Sequence, residues 1–205
     1  PAFGRRSERN CRHTLVERRR RGQPRWFERL VGLSPDGSAL AFGLAAEPDT
    51  RIAASGPTGV LMTLPSAALD AVRGLARRVV AHRGAVLLVD YGHVRPGFGD
   101  SLQAVRGHAF VPPLAAPGEA DLTTHVDFSA LGRAATGEGA ILHGPVDQRD
   151  FLLALGLRER AEGLGRTASE AQREAITAAA TRLTDPSRRG MGSLFKAMAF
   201  SDATL

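Results

Sequence analysis

The arrangement of apolar and polar positions predicts alternating strands and helices from Trp26 onward. The segment Gly84-Ala-Val-Leu-Leu-Val-Asp-Tyr-Gly-His93 holds an unbroken apolar run that ends abruptly in polar residues. A run without polar alternation is typical of a strand buried on both faces, as in the parallel sheets of α/β proteins. Apolar positions spaced by three and four from Leu69 to Val80 predict an amphipathic helix directly before it. A helix followed by a buried strand is half of a βαβ unit, so the pattern indicates an α/β fold.

The same reasoning predicts the other elements. Strands are expected at 26–33, 39–43, 60–64, 139–143 and 194–200, and helices at 66–83, 128–135, 147–155, 158–164 and 167–183. Asp127 is expected to cap the second of these helices, and Thr167 begins a capping-box pattern for the last. Gly144-Pro145 is expected to stop the strand at 139–143. The final strand is expected to pair antiparallel with it inside the sheet.

Residues 93–128 form a long polar segment after the central strand. The segment is rich in Asp, His, Thr and Gly and shows no regular apolar period. Long irregular connections in compact domains are usually functional or disordered, and this composition favours a functional loop. Because ligands of open α/β sheets bind beyond the carboxyl ends of strands, Asp90 is expected to lie close to the part of this loop at 117–128.

The net charge of +6 is concentrated at the start of the chain. Residues 1–30 contain ten Arg and three Glu, whereas the other 175 residues contain 17 basic and 18 acidic side chains. Residues 1–25 are therefore predicted to be a disordered or garbled Arg-rich tail, and 26–205 a single domain. A basic arm for nucleic acid and an organellar presequence are the alternatives for the tail. The neutral remainder predicts no nucleic-acid partner.

Composition excludes several classes of protein. A chain of 205 residues with 43% hydrophobic content can build one core of ordinary size. No apolar run approaches the roughly 20 residues that a membrane-spanning helix needs. The single cysteine, Cys11, excludes an internal disulfide framework and agrees with a reducing compartment.

The residues alone leave three chemistries open. Three histidines and three aspartates of the polar segment could bind a metal, although their spacing matches no familiar ligand pattern; they are His93, His108, His125, Asp90, Asp121 and Asp127. A serine nucleophile is less favoured because there is no Gly-x-Ser-x-Gly turn. A nucleotide-like cofactor would suit Asp90 at a strand end, but the chain contains no glycine-rich phosphate loop. From the residues alone, the chain is predicted to be an α/β enzyme or ligand-binding domain.

Several longer motifs narrow the possible functions further. They are Leu88-Val-Asp-Tyr-Gly-His93, Gly99-Asp-Ser-Leu-Gln-Ala104 with Gly107-His108, Pro117-Gly-Glu-Ala-Asp-Leu-Thr-Thr-His-Val-Asp-Phe128 and Met191-Gly-x-Leu-Phe-Lys196. In sequence and order they resemble the MidA family of class I S-adenosylmethionine-dependent methyltransferases, which includes the mitochondrial complex I assembly-factor arginine methyltransferase. The resemblance covers about 26–200. It implies the C-terminal part of a class I methyltransferase sheet with an antiparallel final strand pair.

The resemblance also implies roles for individual residues. The catalytic candidates, which would orient a guanidinium group or accept its proton, are Asp90, Asp121, His125 and Asp127. The residues expected to line the substrate side are Tyr91, His93, Asp100, Gln103, His108 and Thr123. The simpler readings are that Asp127 serves chiefly as a helix cap and that His108 and His125 only organise the loop.

The resemblance implies S-adenosylmethionine as cofactor and a protein as substrate, with a respiratory complex I subunit as one candidate. The family's first strand with its glycine-rich loop has no counterpart here, so useful cofactor binding by this chain alone is not expected. A bacterial chain would be cytoplasmic, which is favoured, and a eukaryotic one would lie in the mitochondrial matrix. The alternatives to a methyltransferase are a metal-dependent hydrolase using residues 93–127 and a non-catalytic assembly or binding module.

Overall fold

The computed structural model describes residues 13–20, 23–50, 52, 55–187 and 190–205. Backbone contacts divide the chain into two compact units, residues 1–68 with 97–125 and residues 69–96 with 126–205. The strands are β1 His13–Arg20, β2 Gln23–Leu33, β3 Leu40–Leu44, β4 Leu61–Leu64, β5 Ala85–His93, β6 Gln103–Arg106, β7 Ala109–Val111, β8 Asp121–Thr123, β9 Val126–Asp127, β10 Ile141–Asp147 and β11 Phe195–Ser201. The helices are α1 Ser66–His82, α2 Phe128–Thr136, α3 Gln148–Ala154, α4 Leu157–Gly165 and α5 Glu170–Thr184.

The first unit contains a four-stranded sheet in the order β3-β2-β1-β4, with every neighbouring pair antiparallel. Trp26 of β2 is 1% exposed and stacks on Phe98, with ring centroids 5.8 Å apart. Gly56 lies against the same phenyl ring, where an added Cβ would come within 3.0 Å of it. This aromatic contact is part of the buried core of the unit.

The prediction of a disordered tail is wrong for the part of it that the structure describes. His13–Arg20 forms β1 and pairs with both β2 and β4, and β2 begins at Gln23, before the predicted start of order. The remaining residues of the predicted tail lie outside the described ones. Pairing with β2, and with β4 over His13–Val16, engages backbone hydrogen-bonding groups along β1, and such tertiary pairing overrides a composition that by itself favours disorder.

The long polar segment is not an irregular loop. It contains a three-stranded antiparallel sheet in the order β7-β6-β8. Gly107 and His108 connect β6 to β7, with φ angles of 55° and 64°. Two consecutive positive φ angles are characteristic of the tight hairpin turn that matches strand twist. The strands are only three or four residues long, which explains why no apolar period was visible in the sequence.

The second unit is built on a mixed sheet in the order β10-β11-β5-β9. β11 lies antiparallel between β10 and β5, which confirms the predicted antiparallel final pair. β9 runs parallel to β5 over two residue pairs only. β10 continues through a cis Gly144-Pro145 bond and a register shift to Asp147, so the prediction that this strand stops at 143 is wrong.

Helix α2 packs on one face of this sheet. An added Cβ at Gly132 would lie 2.9 Å from the side chain of Leu142, and Met198 and Phe200 on the same face are 1% and 0% exposed. The opposite face is open, because Leu87 and Val89 of β5 are 54% and 45% exposed. The prediction that this strand is buried on both faces is therefore wrong for the chain as the structure describes it.

The predicted helices are present with small shifts at their ends. Gly156, at φ 84°, separates α3 from α4 as expected. The capping box of α5 is made by Ser169 and Gln172 rather than by Thr167 and Glu170. Both pairs obey the capping pattern, and only the backbone conformation decides which serves. Within the described ranges, no helix is long and apolar enough to cross a bilayer.

Candidate functional site

The carboxyl end of β5 carries the first group of candidate residues. Asp90 is exposed, and its Oδ1 accepts a hydrogen bond from the backbone N–H of Tyr91 at 2.8 Å. The ring of Tyr91 meets Phe195 of β11 edge to face, with centroids 5.4 Å apart. The packed aromatic pair fixes the strand end, and the exposed carboxylate beside it faces solvent.

Gly92 allows β9 to approach β5 closely. A Cβ added at Gly92 would lie 2.1 Å from the carbonyl oxygen of Val126. No side chain can be accommodated at that distance, so glycine is required for the parallel pairing. The pairing places His93 directly beside Asp127 across the two strands.

Asp127 has a structural role that the sequence correctly predicted. Its Oδ1 accepts a hydrogen bond from the backbone N–H of Ala130 at 2.9 Å and so caps the N-terminus of α2. The carboxylate is half-buried, and its negative charge lies at the positive end of the helix dipole. The cap therefore holds an acidic group at the end of the sheet where His93 also ends its strand.

His93 carries a buried nitrogen without a partner. Among the side chains that the structure describes, its Nδ1 is buried and makes no hydrogen bond. An unsatisfied buried polar atom costs about 1–3 kcal/mol and calls for an explanation. The half-buried ring itself lies at the carboxyl end of a strand, where ligands of open α/β sheets bind.

Lys196 is a residue whose role the sequence reasoning missed. It lies directly opposite Asp90 in the register of β11 and β5, and cross-strand partners project from the same face of a sheet. Its ammonium group donates to Asp147 Oδ1 at 2.6 Å and to the backbone carbonyl of Ser193. It is the only lysine of the chain and ends one of the recognised motifs, and these were the signals that could have identified it.

The other candidates belong to the first unit. Gln103 of β6 and Thr123 of β8 are paired across the small sheet, and the exposed Asp121 lies two positions from Thr123 on β8. His108 occupies the hairpin turn and is exposed. His125 follows β8 and is half-buried. The structure thus brings Gln103 and Thr123 together in this unit, and His93 and Asp127 together in the other.

Asp100 is already bound within the protein. Arg29 donates to both of its carboxylate oxygens, at 2.6 and 3.0 Å. The hydrogen bonds from Arg29, followed by that from the Leu102 backbone, lower the pKa of Asp100 below its usual value despite partial burial. Sequence reasoning did not identify Arg29, since 71 positions separate it from Asp100.

Two further observations bear on the alternatives. In the ranges that the structure describes, no group of three or more His, Cys, Asp or Glu side chains could hold a metal ion. Two concave surfaces of the second unit, one between α1 and α2 and one among α3, α4 and α5, do not contain Asp90, His93 or Asp127.

Comparison with known proteins identifies relatives. Residues 12–146 match a family described as S-adenosyl-L-methionine-dependent methyltransferases. Protein arginine methyltransferase NDUFAF7, mitochondrial, is 45% identical over 89 residues in Mus musculus, which is 43% of this chain and 20% of that protein. The Bos taurus protein of the same name is 33% identical over 169 residues, 80% of this chain and 38% of that protein.

Two crystal structures of Burkholderia thailandensis proteins resemble this chain throughout. Both align with a TM-score of 0.77 and 28% identity, one native and one bound to S-adenosyl-homocysteine. They cover 92% and 93% of this chain but 51% and 50% of their own. The chain thus spans about half the length of these structures and less than half of the curated relatives given above. Because the family match extends over residues 12–146, the chain belongs to the family of S-adenosyl-L-methionine-dependent methyltransferases.

Proposed function

We propose that this chain forms the substrate-side part of a protein arginine methyltransferase. The family match over residues 12–146 carries the proposal, since it contains β5, its polar end and Asp127. The mitochondrial relatives named protein arginine methyltransferase support an arginine side chain of a protein as the methyl acceptor. The finer proposal, which rests on the family resemblance, is a subunit of respiratory complex I as substrate in a mitochondrial setting.

The strand end offers suitable chemistry for such a substrate. A guanidinium group is planar and permanently charged, and carboxylates bind it with paired hydrogen bonds. The exposed Asp90 is the first candidate for that contact, with Asp127 and Asp121 as the others. The acceptor nitrogen must lose a proton when it gains a methyl group, and a neutral imidazole can take it. His93 is the candidate in the second unit and His125 in the first.

The described residues do not provide a complete cofactor site. A class I methyltransferase holds its cofactor at a glycine-rich turn between a strand and the next helix. The described strand-to-helix connections are β4 to α1, which contains only Pro65, and β9 to α2 and β10 to α3, which contain no intervening residue. None of these connections contains glycine. The chain would therefore contribute one wall of the active site, and the rest of the family's fold would bind S-adenosylmethionine.

A chimaeric protein tests this function directly. This chain would replace the matched half of the Burkholderia thailandensis protein, and methyl transfer from labelled S-adenosylmethionine to an arginine-rich peptide would be measured. The same peptide with lysine in place of arginine is the control substrate. We expect label on arginine only, located by mass spectrometry, and about a 10- to 100-fold loss of kcat/KM in Asp90→Asn.

Matched controls make the assignment decisive. Glu174→Gln changes another exposed acidic residue, on α5, and is expected to leave kcat/KM unchanged. Label on the lysine peptide, or equal activity of Asp90→Asn and Glu174→Gln, would contradict the proposed role of Asp90. Label on complex I subunits in a mitochondrial extract, and on no other class of protein, would support the finer proposal.

A further inference from the structure

One face of the small sheet in the first unit carries an exposed aromatic ring and an exposed carboxylate. Val105 of the central strand β6 lies opposite Phe110 of β7 on one side and opposite Asp121 of β8 on the other. Cross-strand partners project from the same face of a sheet, so the three side chains form one row with Val105 in the middle. The row places an aromatic group and an acidic group on either side of a small apolar side chain.

The two outer members of this row have little internal packing or pairing. Phe110 is 75% exposed, and the exposed Asp121 forms no hydrogen bond or ion pair with any described residue. The nearby acidic residue Glu119, by contrast, binds Arg106 at 3.0 Å. Aromatic side chains are enriched at recognition surfaces, and an unpaired carboxylate beside one favours a cationic partner.

The first unit already binds one arginine side chain with the same two kinds of group. Asp100 accepts hydrogen bonds from both terminal nitrogens of Arg29, whose Cζ lies 4.4 Å from the centroid of the Phe42 ring. The carboxylate binds the edge of the guanidinium plane, and the aromatic face attracts its positive charge. Phe110 and Asp121 present this combination to a guanidinium group from outside the chain.

We propose that Phe110 and Asp121 bind an arginine side chain of the protein substrate. The backbones of β7 and β8 lie roughly 10 Å apart, which is two strand spacings. A ring attracts a cation up to about 6 Å from its centroid, and a guanidinium donates to a carboxylate at about 2.8 Å. One guanidinium above Val105 can therefore contact both groups. The inference rests on the proposed function, which supplies the arginine-containing protein, but it concerns recognition of the substrate rather than methyl transfer.

Peptide binding to the isolated chain tests this site without any methyl transfer. The isotope-labelled chain would be titrated with a short arginine-rich peptide and followed by NMR. The control peptides carry lysine, which cannot form the paired hydrogen bonds, or citrulline, the neutral analogue of arginine. The net charge of +6 opposes the binding of any cationic peptide, so binding would report a local site. We expect the amide signals of Val105 and Phe110 to shift, with about fivefold weaker binding of both control peptides.

Variants locate the site on the sheet. Phe110→Leu keeps an apolar side chain without the ring and should weaken arginine binding about threefold, and Asp121→Asn about fivefold. Phe110→Trp should bind at least as tightly as the original protein, because tryptophan is the best aromatic partner of a cation, and a folding defect could not produce that result. Leu122→Ala, on the opposite face of the sheet, and Glu174→Gln, on α5, should leave the affinity unchanged.

The chimaera separates this inference from the proposed function. There Phe110→Leu should raise KM for the arginine peptide about threefold and leave kcat unchanged, because the ring binds substrate without taking part in the transfer. Equal binding of the arginine and control peptides, no binding of the arginine peptide, or unchanged affinity in Phe110→Leu and Asp121→Asn would overturn the inference. Arginine binding that both variants weaken, in a chimaera that transfers no methyl group, would support the inference and contradict the proposed function alone.

Discussion

Arg29 donates hydrogen bonds from Nη1 and Nη2 to the two carboxylate oxygens of Asp100, at 2.6 and 3.0 Å. Its Cζ lies 4.4 Å from the centroid of the Phe42 ring. The Arg29 side chain is only 10% exposed, so its charge depends on this partner. The pair joins β2 to the segment that precedes β6, within the first unit. Asp100 thus has a structural role, because its carboxylate binds the segment before β6 to β2.

Replacing Asp100 with Asn should therefore lower the stability of the first unit. The substitution leaves a largely buried guanidinium without its counter-charge, at a cost of about 1–2 kcal/mol after allowance for the solvent exposure of the carboxylate. Urea denaturation followed by Trp26 fluorescence measures the change. Asp121→Asn, at an exposed position on β8, is the matched control and should change the unfolding free energy by less than about 0.5 kcal/mol.

The same pair predicts a pH dependence. Hydrogen bonds from Arg29 hold the pKa of Asp100 below that of an unfolded aspartate, so the folded state binds this proton less readily. The contribution to stability is present above about pH 4, the unfolded pKa, and declines as the pH falls through the lower folded pKa. The difference in unfolding free energy between the original protein and Asp100→Asn should therefore shrink below about pH 4. A difference that grows on acidification would contradict this explanation.

Gly92→Ala should disrupt the pairing of β5 with β9. The new methyl group would lie 2.1 Å from the Val126 carbonyl oxygen, which requires the strands to separate and costs about 3 kcal/mol. Gly74→Ala is the control, because this glycine lies in α1 with no atom within 4 Å of an added Cβ. It should stabilise the helix by about 0.5–1 kcal/mol. Thermal unfolding should therefore shift in opposite directions for the two variants.

Substitutions at Asp127 can separate its two roles. Asp127→Ala removes the cap of α2 and should cost about 1 kcal/mol, whereas Asn retains an oxygen that can accept from Ala130 N–H. If the carboxylate also contacts the substrate, Asp127→Asn should fold normally and still lower kcat/KM in the chimaera. An Asn variant with full activity would leave Asp127 as a cap only.

His93→Phe should give a stability change opposite to that of His143→Phe. The first removes a buried nitrogen that has no partner in the described structure and should leave stability unchanged or raised by up to about 1 kcal/mol. The second breaks the 2.9 Å hydrogen bond between His143 Nε2 and Ser201 Oγ and should cost about 1 kcal/mol. Only His93→Phe is expected to lower methyl transfer. A marked loss of stability in that variant would show that the imidazole has an internal partner.

The sequence by itself determined most of the regular elements of the second unit and the identity of the family. Residues 69–80 and 85–89 have apolar patterns long enough to define α1 and β5, and the cap at Asp127 is a local interaction between neighbouring residues. The recognised motifs, quoted from Leu88 to Lys196, led to a methyltransferase family that the comparisons confirm.

Tertiary structure decided what depends on distant partners. β1 is a strand because β2 and β4 pair with it, and the strands at 103–123 are too short to produce an apolar period. The bond between Arg29 and Asp100 spans 71 positions, and no local pattern encodes such a contact. Likewise, the apolar run of β5 showed that this strand could be buried on both faces. Whether it is buried depends on which other elements cover it: among the described residues, α2 packs on one face, whereas Leu87 and Val89 on the other face are exposed.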